Sequence, residues 1–468
     1  MFKELRIRNF KAWKDTGEIR MAPITLFFGT NSSGKSSIGQ FLMMLRQTVE
    51  LQDRKVVFYP GTDNTAVQLG SFQEMVFQRD SEKNIGFDYT WSPPSPLQFK
   101  DPLKNKAYSA DSIEFSAEAG LSKKPIKSTI LKQFKYRLFR QESEVMEIGM
   151  DLTADAESGY NIFASRYKLV RNLGRKWYPK SVVRFYGFPD EVVAYHQNAA
   201  FVQSLNLAHE TLFQSIHYLG PLRTKPRRIY SWAGHAPEDV GHAGENAIAC
   251  ILAAADRTIS TGHKMRRKPL LELIASKLLE MELIDNFRVK PISRHRQEYE
   301  VKVCVKGSQD WVDLPDVGFG ISQVLPVLVQ CFYAEPGSVI VMEQPEIHLH
   351  PKAQALLADV MIDVINSKEN GEDRNIQLII ETHSEHFLTR LQRRIAEKTR
   401  EKAIANEQVS AYFARLDGSK ARLEPLEIDL LGNIRNWPVD FFGDTMGDVV
   451  ARTEAQAERM SQGEMPDE

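Results

Sequence analysis

Eight residues near the start of the chain, Gly29-Thr30-Asn31-Ser32-Ser33-Gly34-Lys35-Ser36, satisfy the pattern G-x-x-x-x-G-K-[ST]. The spacing has a mechanical reason. The glycines let the backbone wrap around a phosphate with several N–H groups pointing inward. Lys35 brings a point charge to the β/γ-phosphates, and the Ser36 hydroxyl is placed to ligate Mg²⁺. Such a loop works only between a buried strand and a helix, and both are present. The apolar run Ile24–Phe28 stops at Gly29, and Ile38, Phe41, Leu42, Leu45, Val49 and Leu51 then follow at helical spacing.

A second half of the site is expected far along the chain. Val339–Met342 reads as a buried strand that delivers Glu343 to its C-terminal end, 308 residues after Lys35 (343 − 35). Sites in open α/β sheets lie at that end, and a carboxylate there can hold a Mg²⁺ shell through water. Glu346 could orient or deprotonate an attacking water. A third buried strand, in NIQLIIETHSEHF, carries Thr382 and His383, and a histidine there can hydrogen-bond a γ-phosphate or that water. His348 and His350 compete for this role, and His386 reads as structural. The four histidines sit at mixed spacings without a metal-ligand pattern. Asp316–Gln323 (DVGFGISQ) opens a helix and makes a second anion cradle or, equally, a plain loop–helix turn.

Composition narrows the remainder. At roughly 150 residues per domain, 468 residues mean about three domains, or one domain with insertions. With 42% hydrophobic and 26% charged residues, wholesale disorder is excluded, and a net charge of −1 excludes a uniformly basic coat. Local basic runs remain at Arg223–Arg228, Lys264–Lys268 and Arg390–Lys402. The last is interleaved with Glu397 and Glu401 and reads as a solvated helix face. Cys250, Cys304 and Cys331 are too far apart for a zinc ribbon or a disulfide framework. No apolar stretch approaches membrane-spanning length, and MFKELRIRNFKAW is no signal peptide, so a soluble cytoplasmic protein is expected.

The expected division is an N-terminal part of a nucleotide-binding head over 1–80, an inserted mostly β or irregular lobe over 81–215, a helical lobe over 216–300, the C-terminal part of the head over 301–442, and a polar tail over 443–468. No heptad is sustained, so no coiled-coil arm is expected.

The order of phosphate loop, long insertion, GFGISQ, VMEQPE and ETHS resembles ABC-type ATPases of the RecF/SMC branch. IRNFKAW, GTNSSGKSS, EQPEIHLHP and THSEH are similar to compact ATP-binding proteins related to the overcoming-lysogenization-defect (OLD) ATPases. HYLGPLR and VGHAGENA are further marks of that group. LGNIRNWPVDFF resembles a C-terminal family of unknown function that often ends such chains.

The resemblance implies an α/β fold: an ABC-type P-loop head, a mixed sheet with helices, carrying a long inserted α+β lobe. It implies a head-to-tail homodimer, or a higher oligomer, closed around ATP and Mg²⁺. Carried over by residue, Gly29, Asn31, Ser32, Ser33, Gly34, Lys35, Ser36 and Ser37 bind phosphates, with Ser36 and Glu343 at the metal. Gly320 and Ser322 touch the γ-phosphate from the other subunit. Glu346 is the catalytic base, His383 the switch histidine, and Lys11 sits where related heads place a nucleotide-contacting Arg. Glu343 stands where Asp is usual. The metal-binding glutamine of the Q-loop is Gln73, with Gln68 as competitor.

OLD proteins proper end in a Toprim nuclease, which needs a Glu and an Asp-x-Asp at strand ends. Only 85 residues follow His383 (468 − 383), and they hold only the isolated Glu427-Ile428-Asp429. No nuclease in cis is therefore expected. The implied setting is antiphage defence with a separately encoded effector such as a nuclease. The alternatives are a DNA-repair or chromosome-maintenance ATPase acting on nucleic acid, and an ATP-binding scaffold with little hydrolysis.

Overall fold

The computed structural model describes residues 1–123, 127–153, 159–174, 178–262, 265–293, 296–308, 310–397, 402–438, 441, 447 and 450–456. Two sheets organise them. A six-stranded sheet runs in the order Ile216–Leu219, Val339–Glu343, Gln377–Glu381, Ile24–Gly29, Val409–Asp417 and Lys420–Pro425. The first five strands are parallel, and the last is an antiparallel edge.

Parallel strands covered on both faces read as unbroken apolar runs, which is why Ile24–Phe28, Val339–Met342 and Leu378–Ile380 carry no polar alternation. Their side chains nevertheless divide by parity. Phe27, Val339, Val341 and Ile379 face one core with the helix Lys35–Glu50. Leu26, Phe28, Ile340, Met342, Leu378 and Ile380 face the other, with the helices Phe319–Tyr333, Pro351–Ile365 and Glu385–Ala396.

The second sheet is antiparallel and eight-stranded. It starts from Phe2–Phe10, takes in Trp13–Asp15 and Ile19–Arg20, and extends outward through Ile85–Trp91, Ser112–Leu121, Thr129–Arg140, Ser143–Leu152 and Tyr160–Ser165. The strands of the expected insertion are thus built onto the first strand of the chain, and the boundary drawn at residue 80 crosses a continuous sheet. The stretch 216–300, expected to be helical, also departs from that reading. Besides the helices Ala247–Ala253 and Leu270–Glu280, it holds the edge strand of the parallel sheet, Ile216–Leu219, and the strand Ile284–Pro291. A four-residue apolar strand flanked by a longer helix is hard to separate from that helix by periodicity. Most of the polar tail, 443–468, lies outside the described residues.

Among the described residues the longest helix has 16 residues, in keeping with the lack of a coiled-coil arm, and no helix is long and apolar enough to cross a membrane. The three cysteines are free and buried.

Candidate functional site

The C-terminal ends of the parallel strands lie on one edge of the sheet, and the phosphate loop rises from it. Gly29 is obligatory there, because a Cβ would sit 2.0 Å from the Ala414 carbonyl oxygen of the adjacent strand. Gly34 (φ 92°) caps the helix Lys35–Glu50 in the left-handed region, and Ser32 shares that region at φ 62°. The Lys35 ammonium donates to the carbonyls of Gly29 (3.0 Å) and Thr30 (2.7 Å). Burial lowers its pKa, opposed by the charge of Glu381. Ser33 is fully buried with an unpartnered hydroxyl, while Asn31 and Ser32 are exposed.

The Ser37 hydroxyl is engaged within the fold. It donates to the Gly34 carbonyl and accepts from the Trp13 indole N–H at 2.9 Å. Trp13 also donates to the Gly34 carbonyl at 3.2 Å, tying the first hairpin to the loop.

Three carboxylates gather at the mouth of the loop. Val339, Val341 and Glu343 share one face of their strand, as do Ile379 and Glu381 of the next, and that is the face covered by the helix beginning at Lys35. Glu343 and Glu381 are direct partners in register. Glu343 accepts from the Tyr218 hydroxyl at 2.7 Å. Burial first, and the neighbouring Glu381 second, push its pKa up to about 7. Glu381 is raised by burial, opposed by the Ser36 hydroxyl and Lys35, and its Oε2 has no partner.

Glu346 is only 6% exposed. It follows Gln344, whose φ of 45° turns the chain sharply at the strand end. The Glu346 Oε1 accepts from the His383 backbone N–H at 2.9 Å, and its Oε2 is buried without a partner. Burial raises its pKa, against hydrogen bonds from His383 and Thr382 and the charge of Arg223. The His383 ring stands exposed at the rim, its pKa lowered by the protein packed around it and by Lys35, which favours the uncharged ring.

Arg223 closes the site from beneath. Its guanidinium donates to the carbonyls of Glu343 (3.1 Å) and Gln344 (3.2 Å), and burial lowers its pKa to about 10. The basic run Arg223–Arg228 is therefore no free patch as a whole: Arg223 is internal, Arg228 pairs with Asp313 and Asp316, and Lys225 and Arg227 remain exposed. In the run Arg390–Lys402, Arg390 and Arg394 pair with Asp359, Arg393 with Glu397, and Lys402 with Asp363. Of Lys264–Lys268, Lys264 lies outside the described residues, and Arg266 and Arg267 are exposed.

Lys35, Ser36, Glu343, Glu346 and His383 are thus brought together. Gly320 and Ser322 lie in the first turn of the helix Phe319–Tyr333. A Cβ on Gly320 would sit 3.2 Å from the His348 carbonyl, and the Ser322 hydroxyl donates to the Phe319 carbonyl at 2.8 Å. Phe319 itself is 65% exposed. His350 caps the helix Pro351–Ile365 and His348 lies by Phe319, so neither competes with His383 for the rim. Lys11 packs against the segment 69–79, which carries Gln73. The Lys11 ammonium donates to the Leu69 carbonyl (3.3 Å), and the exposed Gln73 donates to that of Arg79 (3.4 Å).

Sequence reading missed Tyr218, Arg223, Trp13 and Glu381 as site residues. A signal existed for the last: like Glu343, it ends a short apolar run.

A protein-family model described as "AAA domain, putative AbiEii toxin, Type IV TA system" matches residues 24–389, spanning the phosphate loop, both carboxylate strands and His383. The chain belongs to this AAA-domain family. The ABC/AAA-type ATPase affinity read from its motifs is borne out at that level. A second model, a protein of unknown function (DUF3696), matches residues 404–451 of this AAA-domain protein. An "ATP/GTP phosphatase" of Helicobacter pylori (strain ATCC 700392 / 26695) is 33% identical over 99 residues, 21% of this chain and 26% of that protein, so the chain spans about a quarter of that curated relative. Among solved structures, the SMC head domain from Thermotoga maritima is similar at TM-score 0.39 and 10% identity, over 91% of this chain and 99% of that one. The Smc head domain with an extended coiled coil from Pyrococcus furiosus, bound to the C-terminal domain of ScpA, is similar at TM-score 0.41 and 9% identity, over 97% and 99%. Likeness this distant transfers no residue role and no partner.

Proposed function

We propose that this AAA-domain protein binds ATP with Mg²⁺ at the phosphate loop and hydrolyses it to ADP and phosphate. One observation carries the reading: Lys35, Ser36 and three buried carboxylates converge on one edge of the sheet, and two of those carboxylates keep an unpartnered oxygen. Such oxygens cost free energy unless a ligand satisfies them, so the residues fit a phosphate with its cation.

Loop N–H groups and Lys35 bind the phosphates, the ammonium exchanging the Gly29 and Thr30 carbonyls for phosphate oxygens. Ser36 and Glu343 hold the Mg²⁺, with Gln73 as the candidate glutamine ligand. When bound, that ion neutralises charge on the phosphate oxygens. Glu346 has one oxygen fixed by the His383 N–H and the other free to take a proton from water. The His383 ring hydrogen-bonds at the rim, and Lys11 approaches the nucleotide from the first hairpin.

Gly320 and Ser322 sit in a helix turn beside an exposed Phe319, which supports their acting on the nucleotide of a second copy, as a homodimer closed around ATP requires. ATP then closes the dimer and hydrolysis reopens it, a switch read by a separately encoded effector in the cytoplasm. The family description names a toxin–antitoxin system, in keeping with a defence setting and with a nuclease or other toxic activity outside this chain.

Single-turnover hydrolysis by wild type and Glu346→Gln tests the reading. The variant should lose about 100-fold or more in rate and accumulate as an ATP-bound dimer in light scattering. Equal rates would refute the assignment of Glu346.

A further inference from the structure

The site holds one carboxylate more than its proposed chemistry uses. Glu343 has a role at the metal and Glu346 at the water, yet Glu381 lies between the loop and Glu343. Three independent features aim it. Register makes it the direct strand partner of Glu343, and neighbouring strands lie about 4.8 Å apart. Parity turns it to the face that Ser36 and Lys35 cover, where both lower its pKa against burial. The residue is only 8% exposed, and its Oε2 is buried with no partner. By contrast, Tyr218 occupies an oxygen of Glu343.

Two like charges side by side in a buried place are unfavourable unless a cation lies between them. Lys35 bears on Glu381 but spends its own hydrogen bonds on the Gly29 and Thr30 carbonyls. Among the described residues, no three His, Cys, Asp or Glu side chains gather as a metal cage. A hard divalent ion held by one or two carboxylates completes its shell with nucleotide oxygens and water.

We propose that Glu381 is a second carboxylate of the metal face, which with Ser36 and Glu343 holds the divalent cation that accompanies the nucleotide. The inference rests on the nucleotide-binding reading above and deepens it. It makes the cation site a dicarboxylate that forms only when nucleotide is present.

The test uses the full chain with Mn²⁺ as probe. Free Mn²⁺ is followed by electron paramagnetic resonance at saturating non-hydrolysable ATP analogue, and nucleotide binding is measured separately in EDTA with a fluorescent analogue. Glu381→Gln keeps an acceptor for the Ser36 hydroxyl and removes only the charge. It should weaken Mn²⁺ binding about tenfold or more and leave metal-free nucleotide binding within about twofold of wild type. Glu381→Asp, which keeps the charge at shorter reach, should fall between. Mn²⁺ affinity unchanged in Glu381→Gln would overturn the proposal, and so would a parallel loss of metal-free binding, which marks a purely structural residue. Failure of the nucleotide reading itself shows differently, as metal-free nucleotide binding that survives Lys35→Ala.

Discussion

Two buried polar clusters of this molecule are built in opposite ways. In the antiparallel lobe, His209 is fully buried among aromatic rings, its pKa held well below the usual histidine range by burial. Both ring nitrogens are nevertheless satisfied, by the hydroxyls of Tyr89 (2.7 Å) and Tyr136 (3.0 Å). Tyr136 in turn donates to the Tyr186 carbonyl, and Tyr186 donates to Glu210 at 2.7 Å. At the edge of the parallel sheet, Glu346 and Glu381 each keep a bare buried oxygen. A polar group closed on its own chain stabilises a fold, whereas one left open is completed by something from outside.

That contrast can be broken at either end. The largest effect belongs to the open cluster. Lys35→Ala should lower ATP turnover by about 100-fold or more with little change in melting temperature, and normal turnover would refute the site. At the closed cluster, His209→Ala should do the reverse. It opens a cavity, orphans the Tyr89 hydroxyl and takes one of two partners from Tyr136, so denaturant titration should show a loss of about 3 kcal/mol or more, while nucleotide affinity in the surviving folded fraction stays put. A changed affinity would mean that the lobe is coupled to the loop.

A third cluster predicts an acid limb. Burial alone would raise the Asp239 pKa, but His217, the Gly241 backbone N–H and Arg46 hold it down at about 2. A carboxylate depressed on folding contributes stability that is present above its unfolded pKa of roughly 4 and lost as pH falls toward 2. Asp239→Asn should therefore cost about 2 kcal/mol near neutral pH and less at pH 3. A penalty independent of pH would show that the charge is not the cause.

The smallest effect returns to the open cluster. Without ligand, Glu381→Gln removes an uncompensated buried charge, and melting at pH 8 should rise by the equivalent of about 1 kcal/mol. A lower melting temperature would mean that the carboxylate is satisfied after all.

How much could be read beforehand follows from the range of the interactions. The phosphate loop was legible because its geometry is local: two glycines, a lysine and a serine within eight residues, between an apolar run and an amphipathic helix. Glu343, Glu346 and His383 were legible because apolar runs announce buried strands and the next polar residues mark their ends. Glu381 carried the same signal but gained meaning only from its pairing with Glu343, a contact between strands that sequence distance hides. Tyr218 belongs to an edge strand too short to show a period, and Arg223 to the loop that follows it. Arg223 read as one basic residue in a run, because only the fold reveals that its guanidinium points inward to two carbonyls. The lobe boundary was misplaced for the same reason, since the strand Phe2–Phe10 pairs with Ile85–Trp91 across the whole phosphate-loop segment.

The sequence by itself therefore determined the candidate residues of this AAA-domain protein: the phosphate-loop pattern, and the strand ends from which the polar residues project. Only the tertiary structure decided the company they keep. Strand order and register set three carboxylates, an arginine and a tyrosine around one lysine, and hydrogen bonding over hundreds of residues left two carboxylate oxygens bare. Local patterns encode torsions and amphipathic faces, whereas satisfaction of a buried charge depends on groups that only the folded chain brings within about 3 Å.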